Sequence, residues 1–398
     1  MSYHLRCRRC EEVIEPAPAE ACGRCAGPTD VVYDWAGLAG RLTSSVVEKR
    51  PRTLWRYREL LPTGARVDVG AGWTRLVPCK PLSDLLDLDL WLKLESENPT
   101  RSYKDRTATL AVSAALDHGV TTVCCSSTGN LGDAVAAAAA ATGVEAVVLV
   151  PEGSASAAVE AEHRDVHVLA VRGSYDDCRR LELELGSLFP WGFVSGNLHP
   201  YACEGAKTIA FEIGEQLAWQ LPDAVVCPAA SGTLFAKLTQ GFAELTRAGL
   251  AREPLPRMFA AQALGSSPIA SAFADDRSIS RVHADTHVAS LAVGDPSHGD
   301  LALGAARATG GAVLALPEDE IAAYTELLTE TTGVAPDASG GAALGALIAA
   351  RQSGMIEAGS QVVLVVTGRR PGSRVEGPHV RTIDPNVADV LAALGLDS

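Results

Sequence analysis

From Leu90 onward the chain alternates between short apolar runs and longer stretches whose apolar residues fall on one helical face. WLKLES, TTVCCSS, EAVVLVP, DVHVLAVRG, GFVSGN, DAVVCPA, RMFAAQA, GGAVLALP and QVVLVVTG read as strands. Such runs suit strands covered on both faces. Between them lie helical segments, among them YKDRTATLAVSAALDHG, TGNLGDAVAAAAAATG, SASAAVEAEHR, SYDDCRRLELELGSL, HPYACEGAKTIAFEIGEQL, SGTLFAKLTQGFAELTRAGL, EDEIAAYTELLTETTG and ASGGAALGALIAARQSG. The alternation predicts βαβ units and an α/β protein with two open parallel sheets and a site between them.

At 398 residues, 47% hydrophobic and 21% charged, the chain has the composition of a globular protein of about two to three domains. Its net charge of −14 argues against a nucleic-acid-binding face. No apolar run reaches the roughly 18 residues of a membrane span, and MSYHLRCRRC lacks the apolar core of a signal peptide, so a cytoplasmic protein is expected.

Four of the ten cysteines form two knuckles, Cys7-x2-Cys10 and Cys22-x2-Cys25, separated by EEVIEPAPAEA. This spacing places four thiolates as a tetrahedral zinc site prefers. Neither pair opens a helix after a strand, as redox pairs do. With four protein ligands and no open position, the zinc ribbon is expected to be structural. Arg6, Arg8, Arg9 and Arg24 give it a small basic patch. Cys124, Cys125, Cys203 and Cys227 lie in or near apolar segments and read as buried thiols, while His199 and His298 flank presumed site loops.

Three loops follow a strand and precede a helix: SENPTRSYKD (Ser96 to Asp105), SSTGN (Ser126 to Asn130) and PAASGTLF (Pro228 to Phe235). In a parallel sheet all three lie at the carboxyl ends of strands, where ligands bind. Capping and turn chemistry account for the second and third alone. They do not account for a polar, proline-containing loop that puts Lys104 at the start of an apolar helix.

SENPTRSYKDRTA resembles the lysine motif of pyridoxal-phosphate enzymes of fold type II, and most of all that of the threonine synthase family. The resemblance covers about Gly70 to Arg370 plus the ribbon. It implies two α/β domains of the tryptophan synthase β-like kind and a carbon–oxygen lyase acting on a phosphorylated amino acid. The expected division is a ribbon over 1–30, a large cofactor-binding domain over 31–107 and 209–398, and a small domain over 108–208. Lys104 is similar to the Schiff-base lysine and Asn130 to the asparagine that bonds the cofactor's phenolic oxygen. Ser231, Gly232, Thr233 and Leu234 correspond to the phosphate loop, and Thr367 to the hydroxyl facing the pyridine nitrogen. Ser102, Arg101, Ser127, Thr128 and Lys207 are the expected substrate contacts, and Cys7, Cys10, Cys22 and Cys25 the zinc ligands. Burial together with a cationic cofactor is expected to lower the Lys104 pKa.

The implied reaction converts O-phospho-L-homoserine and water to L-threonine and phosphate, with a homodimer expected. The chain departs from the family pattern at Arg101, where the motif has Gly, and at Tyr103, where it has Phe. Ala229 and Ala230 are unusual in the phosphate loop, and Ala202 and Ala206 stand for Arg and Gln in HPYACEGAKT. TGRRPG replaces Thr-Gly-His-Gly. Arg101, Arg369 or Lys207 then becomes the expected cation for the substrate phosphate. The alternatives are elimination or replacement on another amino acid, such as O-phosphoserine in a cysteate synthase-like reaction, a step of specialised metabolism, or a binding protein on a retired enzyme fold.

Overall fold

The computed structural model describes residues 3–17, 21–38, 40–127, 129–153, 165–194, 199–370 and 380–396. Strands β1 (Tyr3–Cys7), β2 (Val13–Ile14) and β3 (Thr29–Tyr33) form an antiparallel sheet in the order β2-β1-β3. The ribbon thus runs three residues past its expected end. A six-stranded sheet contains β4 (Leu76–Pro78), β5 (Asp89–Leu94), β10 (Ala224–Pro228), β11 (Arg257–Ala263), β12 (Ala312–Leu316) and β13 (Gln361–Val366), ordered β12-β11-β10-β13-β5-β4. All its pairs are parallel except β4 with β5. A five-stranded parallel sheet contains β6 (Thr122–Ser126), β7 (Glu145–Pro151), β8 (Val166–Val171), β9 (Gly192–Phe193) and β14 (Arg381–Ile383), ordered β14-β8-β7-β6-β9.

Helices α1 (Trp35–Leu38), α2 (Ser44–Glu48) and α3 (Lys80–Leu86) are short. Helices α4 (Lys104–Asp117), α5 (Asn130–Ala140), α6 (Tyr175–Leu188) and α13 (Val387–Leu394) belong with the smaller sheet. Helices α7 (Pro200–Gln216), α8 (Thr233–Arg247), α9 (Pro268–Ala274), α10 (Gly299–Ala308), α11 (Glu318–Thr332) and α12 (Ala338–Gln352) pack around the larger one. No helix among the described residues is long and apolar enough to cross a membrane.

The unbroken apolar runs have a direct reason. Along β10 and β13, Val225, Cys227, Val363 and Val365 enter one core cluster, and Ala224, Val226, Val362, Leu364 and Val366 enter another on the opposite face. Side chains alternate across a strand, so a sheet covered on both faces needs apolar residues at every position. The smaller sheet repeats this, with Val148 and Val150 on one side of β7 and Val147 and Leu149 on the other.

The two bodies share α7. Ala202 lies in the small-sheet core, while Ala206, Ile209 and Ile213 lie in the large one. A Cβ on Gly205 would sit 2.2 Å from Arg106 O, so glycine is what lets α7 touch the backbone of α4. The expected assignment of all of 209–398 to the large domain needs correction at its end, because β14 pairs with β8 and α13 packs beside it. The expected helix SASAAVEAEHR lies wholly outside the described residues.

Candidate active site

Lys104 is the first residue of α4 and its neighbours are anchored in the interior. Arg106 is fully buried; its Nε donates to Glu95 Oε2 at 2.7 Å and its Nη2 to Glu212 Oε2 at 2.7 Å. Lys93 Nζ donates to the same Glu212 oxygen at 2.7 Å. Two cations and two carboxylates balance, which is the condition for burying four charges together. The Asp105 carboxylate accepts from the Thr100 N–H at 2.8 Å and from its hydroxyl at 2.9 Å, and burial pushes its pKa up to about 6. The Lys104 side chain, half-buried between these anchors, carries its Nζ 4.9 Å from the Tyr103 ring centroid. Desolvation pulls the Lys104 amine down, but Tyr103 and Tyr175 outweigh it and hold the amine above its ordinary value. Burial alone therefore does not deliver the depression expected from sequence.

The lysine loop is laced to the end of β13. The Tyr103 N–H donates to Thr367 O at 3.0 Å and the Arg369 N–H to Arg101 O at 3.0 Å. On the other side the Asp337 N–H donates to Gly368 O at 3.1 Å. A Cβ on Gly368 would lie 3.4 Å from Asp337 Oδ2, 3.5 Å from Arg101 O and 3.7 Å from Asn130 Nδ2. Lysine loop, asparagine loop and β13 end therefore converge on one glycine. Thr367 Oγ1 is 3.0 Å from Ser339 Oγ, which donates to Asp337 Oδ1 at 2.6 Å, and burial raises the Asp337 pKa.

Asn130 opens α5 behind Gly129, whose φ of 150° is open to glycine. Ser127 Oγ accepts from the Gly129 N–H at 3.0 Å and the Gly132 N–H at 2.9 Å and donates to Gly129 O at 3.1 Å. The buried Ser127 hydroxyl, expected to touch substrate, is committed to holding the loop that presents Asn130. Thr128 lies outside the described residues. Ser102, 1% exposed, accepts the Lys104 N–H on its hydroxyl at 3.3 Å and so closes the lysine loop.

At the third loop, Gly232 caps α8 with φ 81°, and a Cβ there would sit 2.7 Å from His298 O. The first-turn N–H groups behind it, from Thr233 and Leu234, have no partner within the helix, and the helix dipole adds positive potential. Such a cradle fits a phosphate. Ser231 Oγ and Thr233 Oγ1 stand 3.0 Å apart beside it.

Lys207 does not reach a cleft. It is fully buried, bonded to Glu204, 2.8 Å from Glu244 Oε2 and 4.2 Å from the Tyr33 ring centroid. Lys237 donates to Glu204 Oε1 at 2.7 Å, so two lysines and two glutamates again cancel. Ala202 is equally buried in the small-sheet core. Arg101 and Arg369 remain exposed. Tyr175, Asp337 and Ser339 had no part in the sequence reading. For Tyr175 no local signal exists; the Asp-x-Ser start of α12 was visible as a helix cap, since Asp337 Oδ1 accepts the Gly340 N–H at 3.2 Å.

The ligand atoms of Cys7, Cys10, Cys22 and Cys25 lie within 4.8 Å of one another. Gly27 closes this cluster, where a Cβ would sit 2.9 Å from Cys7 Sγ. The Cys10 backbone N–H helps draw the Cys7 thiol down to about 6. For Cys10 the Glu12 N–H acts the same way, but the Cys25 and Cys7 sulfurs push it up to about 12. Four thiolates this close need a cation to ionise together, and the all-sulfur donor set suits zinc.

The family described as pyridoxal-phosphate dependent enzymes matches residues 67–368. Threonine synthase of Methanosarcina acetivorans is 31% identical over 373 residues, covering 92% of this chain and 91% of that protein. The threonine synthases of Methanocaldococcus jannaschii, 30% identical over 91% of each chain, and of Mycobacterium tuberculosis, 31% identical over 87% of this chain and 96% of its own, are comparable. Among solved structures, maize serine racemase superposes with a TM-score of 0.64 at 21% identity, over 76% of this chain and 88% of its own. The threonine deaminase isoform 2 of Solanum lycopersicum superposes with 0.63 at 18%, over 81% and 82%. These structures share the fold, and the sequence matches place the chain in the threonine synthase family of pyridoxal-phosphate dependent enzymes.

Proposed function

We propose that this chain converts O-phospho-L-homoserine and water to L-threonine and phosphate at Lys104, and that Cys7, Cys10, Cys22 and Cys25 hold a structural zinc. What supports the first most is the convergence of the lysine loop, Asn130 and the β13 end on Gly368. Pyridoxal phosphate, when bound, supplies the electron sink that makes a substrate Cα–H acidic. Lys104 would hold it, and the Lys104 amine would take the Cα proton and deliver protons along the substrate chain as phosphate leaves and water adds at Cβ. The Asn130 amide orients the ring. The first turn of α8, with Ser231, Gly232, Thr233 and Leu234, holds the cofactor phosphate. Thr367 offers the pyridine nitrogen a neutral hydroxyl. A hydroxyl leaves the sink weaker than a carboxylate would, which suits elimination and replacement more than transamination. Arg101, in the lysine loop three residues before Lys104, is the cation for the substrate's phosphate in preference to the equally exposed Arg369, since Lys207 is spent elsewhere and position 202 is alanine.

That alanine also supports a second reading, replacement on O-phospho-L-serine. Incubating the purified protein with each phosphoester and quantifying phosphate and amino-acid product separates the two. One threonine per phosphate from O-phospho-L-homoserine is expected. Phosphate release from O-phospho-L-serine alone would favour the second reading.

A further inference from the structure

The ribbon is joined to the α/β body at several points. Tyr3 packs edge-on against Tyr201 of α7, ring centroids 6.1 Å apart, and the Tyr33 hydroxyl donates to Glu204 Oε2 at 2.8 Å. Arg8, between Cys7 and Cys10, reaches further. Its side chain is 19% exposed, its Nε is 3.3 Å from Asp30 Oδ2, and its Nη2 is 3.1 Å from His298 Nε2, 290 residues along the chain. His298, 2% exposed, stands just before α10. Its Nδ1 is 3.1 Å from Thr233 Oγ1 and 3.5 Å from Ser297 Oγ. Its backbone N–H donates to Ser231 O at 2.9 Å, so ring and backbone both fasten it to the loop that opens α8.

The chemistry of the partners gives this chain of contacts a direction. A guanidinium has donors and no acceptor, so His298 Nε2 accepts from Arg8 and the neutral ring carries its proton on Nδ1. That proton goes to Thr233 Oγ1. The Thr233 hydroxyl hydrogen then points away from the imidazole, toward Ser231 Oγ or a ligand oxygen. The Arg8 donor is incompatible with an Nε2–H tautomer of His298, and this favours the orientation of the Thr233 hydroxyl in which it donates away from the ring.

We propose that Arg8 of the ribbon is a positioning residue for the cofactor phosphate, acting through His298 to hold the Thr233 hydroxyl as a donor in the loop over residues 231–234. The proposal rests on reading that loop as the phosphate site. It makes the ribbon part of the cofactor site as well as a stabiliser of the N-terminus.

The test is a titration of the apo-protein with pyridoxal phosphate and, in parallel, with pyridoxal, which lacks the phosphate. Arg8→Gln and His298→Leu should each weaken pyridoxal phosphate binding about tenfold, or 1.4 kcal/mol, and leave pyridoxal binding unchanged. Arg8→Lys, which keeps a charged donor, should retain most of the affinity. Zinc content read on each variant shows whether the ribbon is intact, and His298→Leu breaks the relay without changing any residue of the ribbon. Equal weakening of both ligands, or no change in either, overturns the proposal. Thr233→Val separates it from the reading beneath it. If that variant binds pyridoxal phosphate normally, the loop is not the phosphate site and both fall. If it binds weakly while the Arg8 and His298 variants bind normally, the relay alone falls.

Discussion

Arg101 occupies a left-handed backbone conformation, φ 66°, at the position where the related motif carries glycine. A side chain there costs about 1 kcal/mol relative to glycine, and such strain persists where function maintains it. Arg101→Gly is therefore expected to raise stability by about 1 kcal/mol while raising KM for the phosphorylated substrate about tenfold or more, the loss of a charge-assisted contact. Thermal melts and steady-state kinetics on the same preparation check both; unchanged kinetics would remove Arg101 from the site. The arginine-for-glycine exchange was legible in the sequence, but its strain was not, because φ belongs to the folded loop. Lys207 and Ser127 show the complementary limit. Both sit in segments that resemble the family's, yet one is neutralised against Glu204 and Glu244 and the other caps a loop. Sequence places a residue on a helix or loop without revealing which partner claims its polar atoms.

Among the elements, buried strands were legible because a sheet covered on both faces demands apolar residues at every position. Two short edge strands were not: β4 and β14 are three residues each and pair on one side only, so neither carries a long apolar run. Helix α7 carries a pH signature. His199 caps it by accepting the Ala202 N–H at 3.3 Å, and burial drives its pKa from 6.5 to about 4. The unfolded chain takes up this proton below about pH 6.5 and the folded chain only near 4, so its contribution is complete above 6.5 and lost as pH falls toward 4. His199→Asn keeps a capping side chain and should flatten the stability–pH curve in that window; an unchanged slope in denaturant melts would assign it to other groups. The ribbon is the other element open to direct test. Cys7→Ser with Cys10→Ser is expected to lose one zinc per chain by metal analysis and to destabilise the N-terminal sheet, whereas an intact protein without zinc would refute the metal reading.

At the scale of the whole molecule, two open sheets share α7, and the candidate site lies where the lysine loop and asparagine loop meet the end of β13. The three strand-to-helix loops were recognisable in sequence because ligand loops gather at the carboxyl ends of parallel strands. Their convergence on Gly368 was not, since it depends on how the two sheets face each other. The same arrangement removes competing amines from the interior: Lys93, Lys207 and Lys237 are each held in buried ion pairs, while Lys104 has no carboxylate partner among the described ion pairs. The most direct test loads the protein with pyridoxal phosphate, reduces it with borohydride and maps the modified peptide by mass. The account predicts the cofactor's mass on Lys104 and none after Lys104→Ala; modification of another lysine, or an unmodified Lys104 in the loaded protein, would contradict it.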